Sequence, residues 1–197
     1  MSNKVAFLTT AFPVDQIVAI DYFESINQQT YQDFDLILLN DGFTELECFK
    51  KAYNCINIIE LNAAGSIAKN REALIKNAIL SKYDFAVFGD FDDYFMAERI
   101  EVALDLLKEA DIVVNDLCSF DDSGILDRDL LGQRFSNRQC VSVDMVLDKN
   151  IFGLSNTAIR LSGLSKLNFS FDSEIIAVDW YFFSFLLLNG WTSVFTN

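Results

Sequence analysis

Short apolar runs recur along the first 115 residues of the chain, and stretches with helical periodicity lie between them. The runs lack the polar alternation of a half-exposed strand, which indicates strands buried on both faces of a parallel sheet. Between the runs, apolar residues such as Ala19, Tyr22, Phe23 and Ile26 follow the spacing of a helix packed against that sheet. Parallel strands are therefore predicted at residues 5–9, 36–39, 56–61, 85–88 and 112–114.

The pattern becomes irregular beyond residue 116. Apolar residues at alternate positions over residues 141–147 predict a strand, and a further apolar stretch covers residues 151–159. A helix is predicted over residues 178–188 and a last strand over residues 191–195. The chain is thus predicted to be an α/β protein with a mostly parallel central sheet, flanking helices and added antiparallel strands in its second half.

Length and composition fit one domain over residues 1–197. The 15 basic and 29 acidic residues give a net charge of −14, which disfavours nucleic acid and anionic membranes as partners. A phosphate-bearing substrate would need local groups or a metal to overcome this charge. The N-terminus lacks the pattern of a signal peptide, and residues 180–188 fall short of the roughly 20 apolar residues of a membrane span, so a cytoplasmic protein is expected.

Candidate chemistry follows the predicted strands, because ligands of open α/β sheets bind outside the carboxyl ends of the strands. Asp90, Asp92 and Asp93 come directly after the run at residues 85–88. Three crowded carboxylates are costly without a cation, and their oxygens suit magnesium or manganese, which could also bridge substrate phosphates. The alternative is an acidic loop that caps the helix near Glu98. A zinc site of sulfur and imidazole ligands is disfavoured because the chain has no histidine and no closely paired cysteines, and its cysteines are expected to be buried free thiols.

Several motifs together resemble the family 2 glycosyltransferases in order and spacing. They are VAFLTT at 5–10, SINQQTY at 25–31, LLNDG at 38–42, GSIAKNR at 65–71, DFDD at 90–93 and, more weakly, AVDW at 177–180. The resemblance implies the GT-A fold, a Rossmann-like fold that binds nucleotide-diphosphate sugars. Residues 1–115 would hold the donor and residues 116–197 the acceptor. It also implies an inverting, metal-assisted sugar transfer to an acceptor hydroxyl, in bacterial surface polysaccharide or glycan synthesis.

The same resemblance assigns donor-binding residues. Thr9, Ala11 and Asp41 would hold the nucleoside of a donor that is expected to be a UDP-sugar. Lys69 and Asn70 stand where the family commonly has an Arg-Asn pair near the donor. Two alternatives remain open from the residues themselves: the Asp41 segment is a simple Asp-Gly turn, and Lys69 and Arg71 are solvated charges on the helix that face Glu72.

The metal and the catalytic base are assigned in the same way. Asp90 would lie near the ribose, Asp92 would bind the Mn or Mg ion that bridges the donor diphosphate, and Asp93 would support it. Asp179 would be the base that takes the proton of the acceptor hydroxyl, because in the family an acidic pair opens a late helix and here only Asp179 is acidic. The alternative for Asp179 is a helix N-cap.

Two other classes of enzyme fit the sequence less well than the glycosyltransferases. A sugar nucleotidyltransferase would need a Gly-rich loop after the first strand, and a dehalogenase-type phosphatase would carry its DxD motif on that strand. The serious rival is a catalytically inactive or truncated protein that binds nucleotide sugars. The acceptor, a glycan or a lipid-linked glycan, is not identified by the sequence, and a location at the inner face of the membrane is compatible with it.

Overall fold

A seven-stranded sheet lies at the centre of the protein in the computed structural model, which describes residues 3–121 and 123–197. The strands in chain order are β1 (Val5–Ala11), β2 (Phe34–Asn40), β3 (Asn57–Asn62), β4 (Phe85–Phe88), β5 (Ile112–Asn115), β6 (Ser119–Asp121), β7 (Gly124–Asp127), β8 (Thr157–Arg160) and β9 (Ser193–Thr196). The helices are α1 (Gln16–Asn27), α2 (Leu46–Ala52), α3 (Ile67–Leu80), α4 (Arg99–Leu106) and α5 (Val178–Leu188). Strands β6 and β7 form a separate antiparallel hairpin.

The strand order in the sheet is β3-β2-β1-β4-β8-β5-β9. Strand β1 pairs in parallel with both neighbours, with Val5 opposite Phe34 of β2 and Phe85 of β4. Strand β8 runs antiparallel to β4 and β5, and β9 pairs in parallel with β5. The predicted parallel strands are confirmed and share one direction, although β8 separates β4 from β5.

Alternate residues of the central strands face two hydrophobic clusters, one on each face of the sheet. In β1, Ala6 and Leu8 belong to the cluster covered by α3 and α5, whereas Val5 and Phe7 belong to the cluster covered by α1, α2 and α4. The prediction of strands buried on both faces is confirmed for β1 and β4 and for most of β2 and β5, but β3 lies at the edge of the sheet and is partly exposed.

The predicted strand at residues 141–147 is wrong. Val141 and Val146 are buried, but Met145 and Leu147 are exposed, so the apolar residues do not share one face. Val143–Met145 form a single turn of 3₁₀ helix. Near this segment, strand pairing is limited to an isolated bridge between Cys140 and Val194 of β9. Without strand pairing, the alternation of apolar residues does not produce a strand.

The remaining predictions for the second half have mixed outcomes. Helix α5 has the predicted bounds, and the predicted antiparallel strands are present as β8 and the β6–β7 hairpin, but β9 is parallel to its neighbour. The four cysteines are free and exposed, not buried as expected. Within residues 3–121 and 123–197, none of the helices has the length and apolar character needed to cross a bilayer.

Candidate active site

The carboxyl ends of β1, β2 and β4 meet at one edge of the sheet, as the parallel register requires. Ala11 at the end of β1 lies opposite Asn40 at the end of β2, and Leu8 lies opposite Phe88 at the end of β4. The first turn of α3 passes over the same edge. Together these elements enclose a cavity of about 310 Å³ lined by Thr10, Phe12, Asp41, Ile67, Asn70 and Arg71.

Asp41 lies in the wall of this cavity and is held there by Asn70. The Asn70 Nδ2 group donates to Asp41 Oδ2 at 3.0 Å, and its Oδ1 accepts the Ala64 N–H at 2.7 Å. Gly42 has a φ of +99°, so the Asp-Gly pair does form a turn. The turn and the cavity position are compatible, because the turn places the Asp41 carboxylate at the open edge.

The structure places Thr9 and Ala11 differently from Thr10. Thr9 and Ala11 are fully buried, whereas Thr10 lines the cavity. Successive side chains of a strand point to opposite faces, so neighbouring positions of β1 cannot all face the ligand. The Ala11 carbonyl accepts the Asp41 N–H at 2.7 Å and so fixes the end of β2. Thr10 was missed from the sequence because the pattern does not reveal which face borders the cavity.

Residues of α3 reach the acidic loop after β4. An Nη2 group of Arg71 pairs with Asp90 Oδ1, and the Ser155 hydroxyl donates to Asp90 Oδ2 at 2.9 Å. Lys69 instead pairs with Glu72 at 3.1 Å, which is the alternative left open for it. Arg71 is the residue of this helix that the site assignment missed. Asn70 and Arg71 follow Ile67 by three and four residues, so all three lie on one face of α3, and this spacing is the signal that could have found Arg71.

Asp92 and Asp93 occupy a different environment from Asp90. Asp92 is exposed and Asp93 is half-buried. Burial, reinforced by the charges of Asp90 and Asp92, raises the pKa of Asp93. Both oxygens of Asp90 already accept hydrogen bonds, so the exposed Asp92 and the half-buried Asp93 are the less committed carboxylates of the loop.

The acidic loop is not a preformed metal cage. Among the residues that the structure describes, no three His, Cys, Asp or Glu side chains gather closely enough to hold a metal ion. The expected crowding of three carboxylates is relieved because Arg71 and Ser155 bind Asp90. Magnesium usually binds through one or two carboxylates together with substrate phosphates. Asp92 and Asp93 fit this shared type of site.

A buried arginine lies beneath the same edge. Arg99, at the start of α4, donates to the Phe88 and Thr157 carbonyls at 3.3 Å and to Ser155 O at 3.4 Å, and it also bonds Asn115 Oδ1. Burial lowers the pKa of Arg99 to about 10, and the Asp93 charge opposes the shift. Arg99 therefore stays charged at neutral pH and ties together the ends of β4, β8 and β5. Sequence reasoning missed it because all of its partners are distant along the chain.

Asp179 is the second residue of α5, and Ala177 is the residue at the cap position. The Asp179 carboxylate accepts the Trp180 N–H at 2.8 Å and Asn150 Nδ2 at 3.2 Å. Burial raises the pKa of Asp179, the Trp180 amide and Asn150 oppose the shift, and the Asp90 charge adds to it. The Asp179 carboxylate thus satisfies an N–H of the first helical turn.

Comparisons with known proteins give three informative matches, although no family model matches the chain. The dTDP-rhamnosyl transferase RfbG of Shigella flexneri is 32% identical over 94 residues, which cover 44% of this chain and 32% of RfbG. The structure of S. aureus TarS superposes with a TM-score of 0.76 at 19% identity, over 98% of this chain and 35% of TarS. The mannosyltransferase PcManGT of Pyrobaculum calidifontis, in complex with GDP-Man and Mn²⁺, gives a TM-score of 0.69 at 12% identity, over 98% of this chain and 54% of its own.

The fold is that of the glycosyltransferase TarS, and this likeness confirms the predicted GT-A fold. The RfbG match adds sequence similarity, so the resemblance to family 2-like glycosyltransferases is confirmed as well. A TarS fragment solved with UDP-GlcNAc gives a TM-score of 0.71 at 19% identity. The chain spans about a third of the length of RfbG and of full TarS.

Proposed function

We propose that the protein is a glycosyltransferase that moves a sugar from a nucleotide diphosphate donor to an acceptor hydroxyl. The observation that carries the proposal is the cavity at the carboxyl edge of the sheet, which has Asp41 in its wall and the acidic loop beside it. In this reading residues 1–197 form one domain, with the donor on residues 1–115 and the acceptor on residues 116–197. The donors in TarS and PcManGT structures, UDP-GlcNAc and GDP-Man, support a nucleotide sugar as ligand.

The nucleoside of the donor would lie in the cavity. Asp41 offers a carboxylate to a base or ribose donor, Phe12 and Ile67 offer apolar surface, and Asn70 keeps Asp41 in place. The Thr10 hydroxyl is buried and has no partner among the described residues, so a donor group could bond it. A UDP-sugar is the proposed donor, since a TarS structure contains UDP.

A Mn or Mg ion would be held by Asp92 and Asp93 and would neutralise the charge of the departing diphosphate. This assignment is supported by the exposure of Asp92 and by the Mn²⁺ of the PcManGT complex. Asp90 is proposed to lie near the ribose, and Arg71, which pairs with it, would shield the diphosphate from that carboxylate.

Asp179 would act as the base in an inverting transfer, accepting the acceptor proton as the hydroxyl oxygen attacks the sugar carbon. Its raised pKa suits this role because a more basic carboxylate accepts a proton more readily. The acceptor is proposed to be a glycan or lipid-linked glycan of bacterial surface polysaccharide synthesis, reached from the cytoplasm.

A donor-binding protein without transfer activity is the second candidate. The observation that favours it is that both oxygens of Asp179 already accept hydrogen bonds, from Trp180 and Asn150. Each carboxylate oxygen has a second lone pair, so these bonds leave capacity for a proton. Turnover measurements on a wild-type protein that binds the donor separate the two candidates.

The test of the donor and metal site is calorimetry of nucleoside diphosphates with and without manganese. We expect manganese to tighten binding about tenfold or more, and Asp92→Asn to abolish most of that gain. Asp33→Asn is the matched control, because Asp33 is exposed and precedes β2 at the opposite edge of the sheet. Unchanged metal dependence in Asp92→Asn would remove the metal assignment, and a wild-type protein that binds no nucleotide would refute the function.

A further inference from the structure

Three consecutive residues near the start of α3 contact three separate parts of the site. Asn70 bonds Asp41 after β2, and Arg71 pairs with Asp90 after β4. Glu72 reaches in a third direction, where its Oε2 accepts the Phe171 N–H at 2.8 Å and lies 3.5 Å from Ser170 Oγ. The first two contacts belong to the donor site, whereas the third joins α3 to the segment that precedes α5.

Glu72 is a buried carboxylate with two cationic partners. Lys69 pairs with its Oε2 at 3.1 Å, and Lys76 pairs with its Oε1. Burial alone would raise the pKa of Glu72, but Lys76, the Phe171 amide and Lys69 together lower it to about 2. The carboxylate is therefore ionised at every working pH. Removing a charge from water is costly unless its partners are held close to it. The contacts of the Glu72 carboxylate are therefore expected to be fixed.

The segment that Glu72 holds is packed against α5. Phe171 is fully buried, and its ring lies 5.5 Å from that of Phe182 and 6.1 Å from that of Tyr181. Phe169 also packs on Phe182, at 5.3 Å. Phe182 and Tyr181 lie in the helical turn that follows Asp179. The backbone of Phe171 is thus fixed by Glu72, while its side chain is fixed by the start of α5.

We propose that Glu72 is a positioning residue for Asp179: it anchors residues 169–171 to α3, and through Phe171 it sets the place of the first turn of α5. The inference rests on the proposed role of Asp179 as the base. Glu72 itself touches neither the cavity nor the acidic loop. Because α3 also carries Asn70 and Arg71, the contact of Glu72 with Phe171 keeps Asp179 at a fixed position relative to the donor-binding residues.

The experiment compares Glu72→Ala, which removes every contact, with Glu72→Gln, which keeps an oxygen for the Phe171 N–H and loses the charge. Lys76→Ala is the matched control, since it removes one ion pair and leaves the Phe171 bond intact. Turnover, donor Kd and amide hydrogen exchange at Phe171 are measured for each. Hydrogen exchange reports local opening directly and does not depend on activity.

For Glu72→Ala we expect Phe171 amide exchange to rise at least about tenfold. We also expect kcat to fall about 10- to 100-fold with donor Kd within about twofold, because small misplacements of a catalytic group are costly. Glu72→Gln should recover most of kcat, and Lys76→Ala should resemble wild type. If Glu72→Ala does not fold, the Glu72→Gln variant is used instead. A rise in Phe171 amide exchange and a loss of kcat, both smaller than those expected for Glu72→Ala, would support the inference, and wild-type values of both would oppose it.

Two results would overturn the inference. Wild-type kcat and exchange in Glu72→Ala would show that the anchor is dispensable. A loss of donor affinity equal to the loss of kcat would show that Glu72 acts through Lys69 on the donor side and not through Phe171. A wild-type protein that fails to transfer sugar refutes the proposed function instead, and Phe171 exchange then still decides whether Glu72 anchors the segment.

Discussion

Substitution of Asp179 by asparagine removes the proposed base while changing its shape little, but it is not neutral for the local hydrogen bonds. Both carboxylate oxygens accept bonds, one from the Trp180 N–H and one from Asn150 Nδ2. An amide has a single acceptor oxygen. Asn150 cannot turn to compensate, because its Nδ2 donates to Phe152 O at 2.8 Å and its Oδ1 accepts the Phe152 N–H at 3.1 Å. In either orientation, the new amide therefore places its NH2 group against one of the two donors, the Trp180 N–H or Asn150 Nδ2.

The expected losses follow from this geometry. A hydrogen bond to a charged group contributes about 1.5–3 kcal/mol, and because Asp179 is half-buried we expect a cost of about 1–2 kcal/mol in the free energy of unfolding. For a chain of this size that lowers Tm by about 2–8 °C. Turnover should fall ~10²- to 10⁴-fold, since general-base help is lost.

Three measurements check the Asp179→Asn prediction: nucleoside diphosphate release across a panel of acceptor glycans, donor Kd by calorimetry, and thermal unfolding. Asn150→Ala is the control, because it removes the same hydrogen bond and keeps the carboxylate. We expect the control to lose at least as much stability, because Asn150 also bonds the Phe152 backbone, and to retain turnover at neutral pH. Turnover at the wild-type rate in Asp179→Asn would refute the base assignment, and wild-type stability would refute the hydrogen-bond argument.

Further predictions concern pH, the nucleoside and the acidic loop. The hydrogen bond from Asn150 lowers the pKa of Asp179, so Asn150→Ala should raise that pKa. Because the base must be ionised, the acid limb of the kcat/KM profile should then move to higher pH. An acid limb that does not move would contradict this prediction. Asp41→Ala should weaken nucleoside binding about tenfold in calorimetry, and unchanged affinity would place Asp41 outside the site. Gly89→Ala should cost about 1–3 kcal/mol in urea unfolding, since its Cβ would lie 2.5 Å from the Phe7 ring, and full stability would show that the ring moves freely.

Most of the first half of the fold was predictable because its central strands are buried on both faces and its helices are periodic. Residues 5–8 and 85–88 are all apolar, so β1 and β4 could be read directly. The second half was harder, because β8 has four residues and reaches its place between β4 and β5 only through pairing with both. Local pattern does not encode such pairing, and the false strand at residues 141–147 has the same origin.

The site was predictable to the extent that strand ends carry it. Asp41 and the acidic loop follow β2 and β4, so their meeting at one edge follows from parallel pairing. The groups that bind Asp90 come from elsewhere: Arg71 from a helix and Ser155 from the loop before β8. These partners lie tens of residues away along the chain, and only the tertiary structure brings them to the carboxylates.

The distribution of charge at the edge offers an account of how an acidic protein could bind a diphosphate. The chain carries a net charge of −14, and three aspartates of the loop face only two nearby arginines. Arg71 is committed to Asp90, and Arg99 is buried among carbonyl groups with Asp93 beside it. Neither arginine is free to clamp a phosphate. In the proposed site a divalent cation on Asp92 and Asp93 reverses the excess of one negative charge, and so makes the loop attractive to a diphosphate that it would otherwise repel.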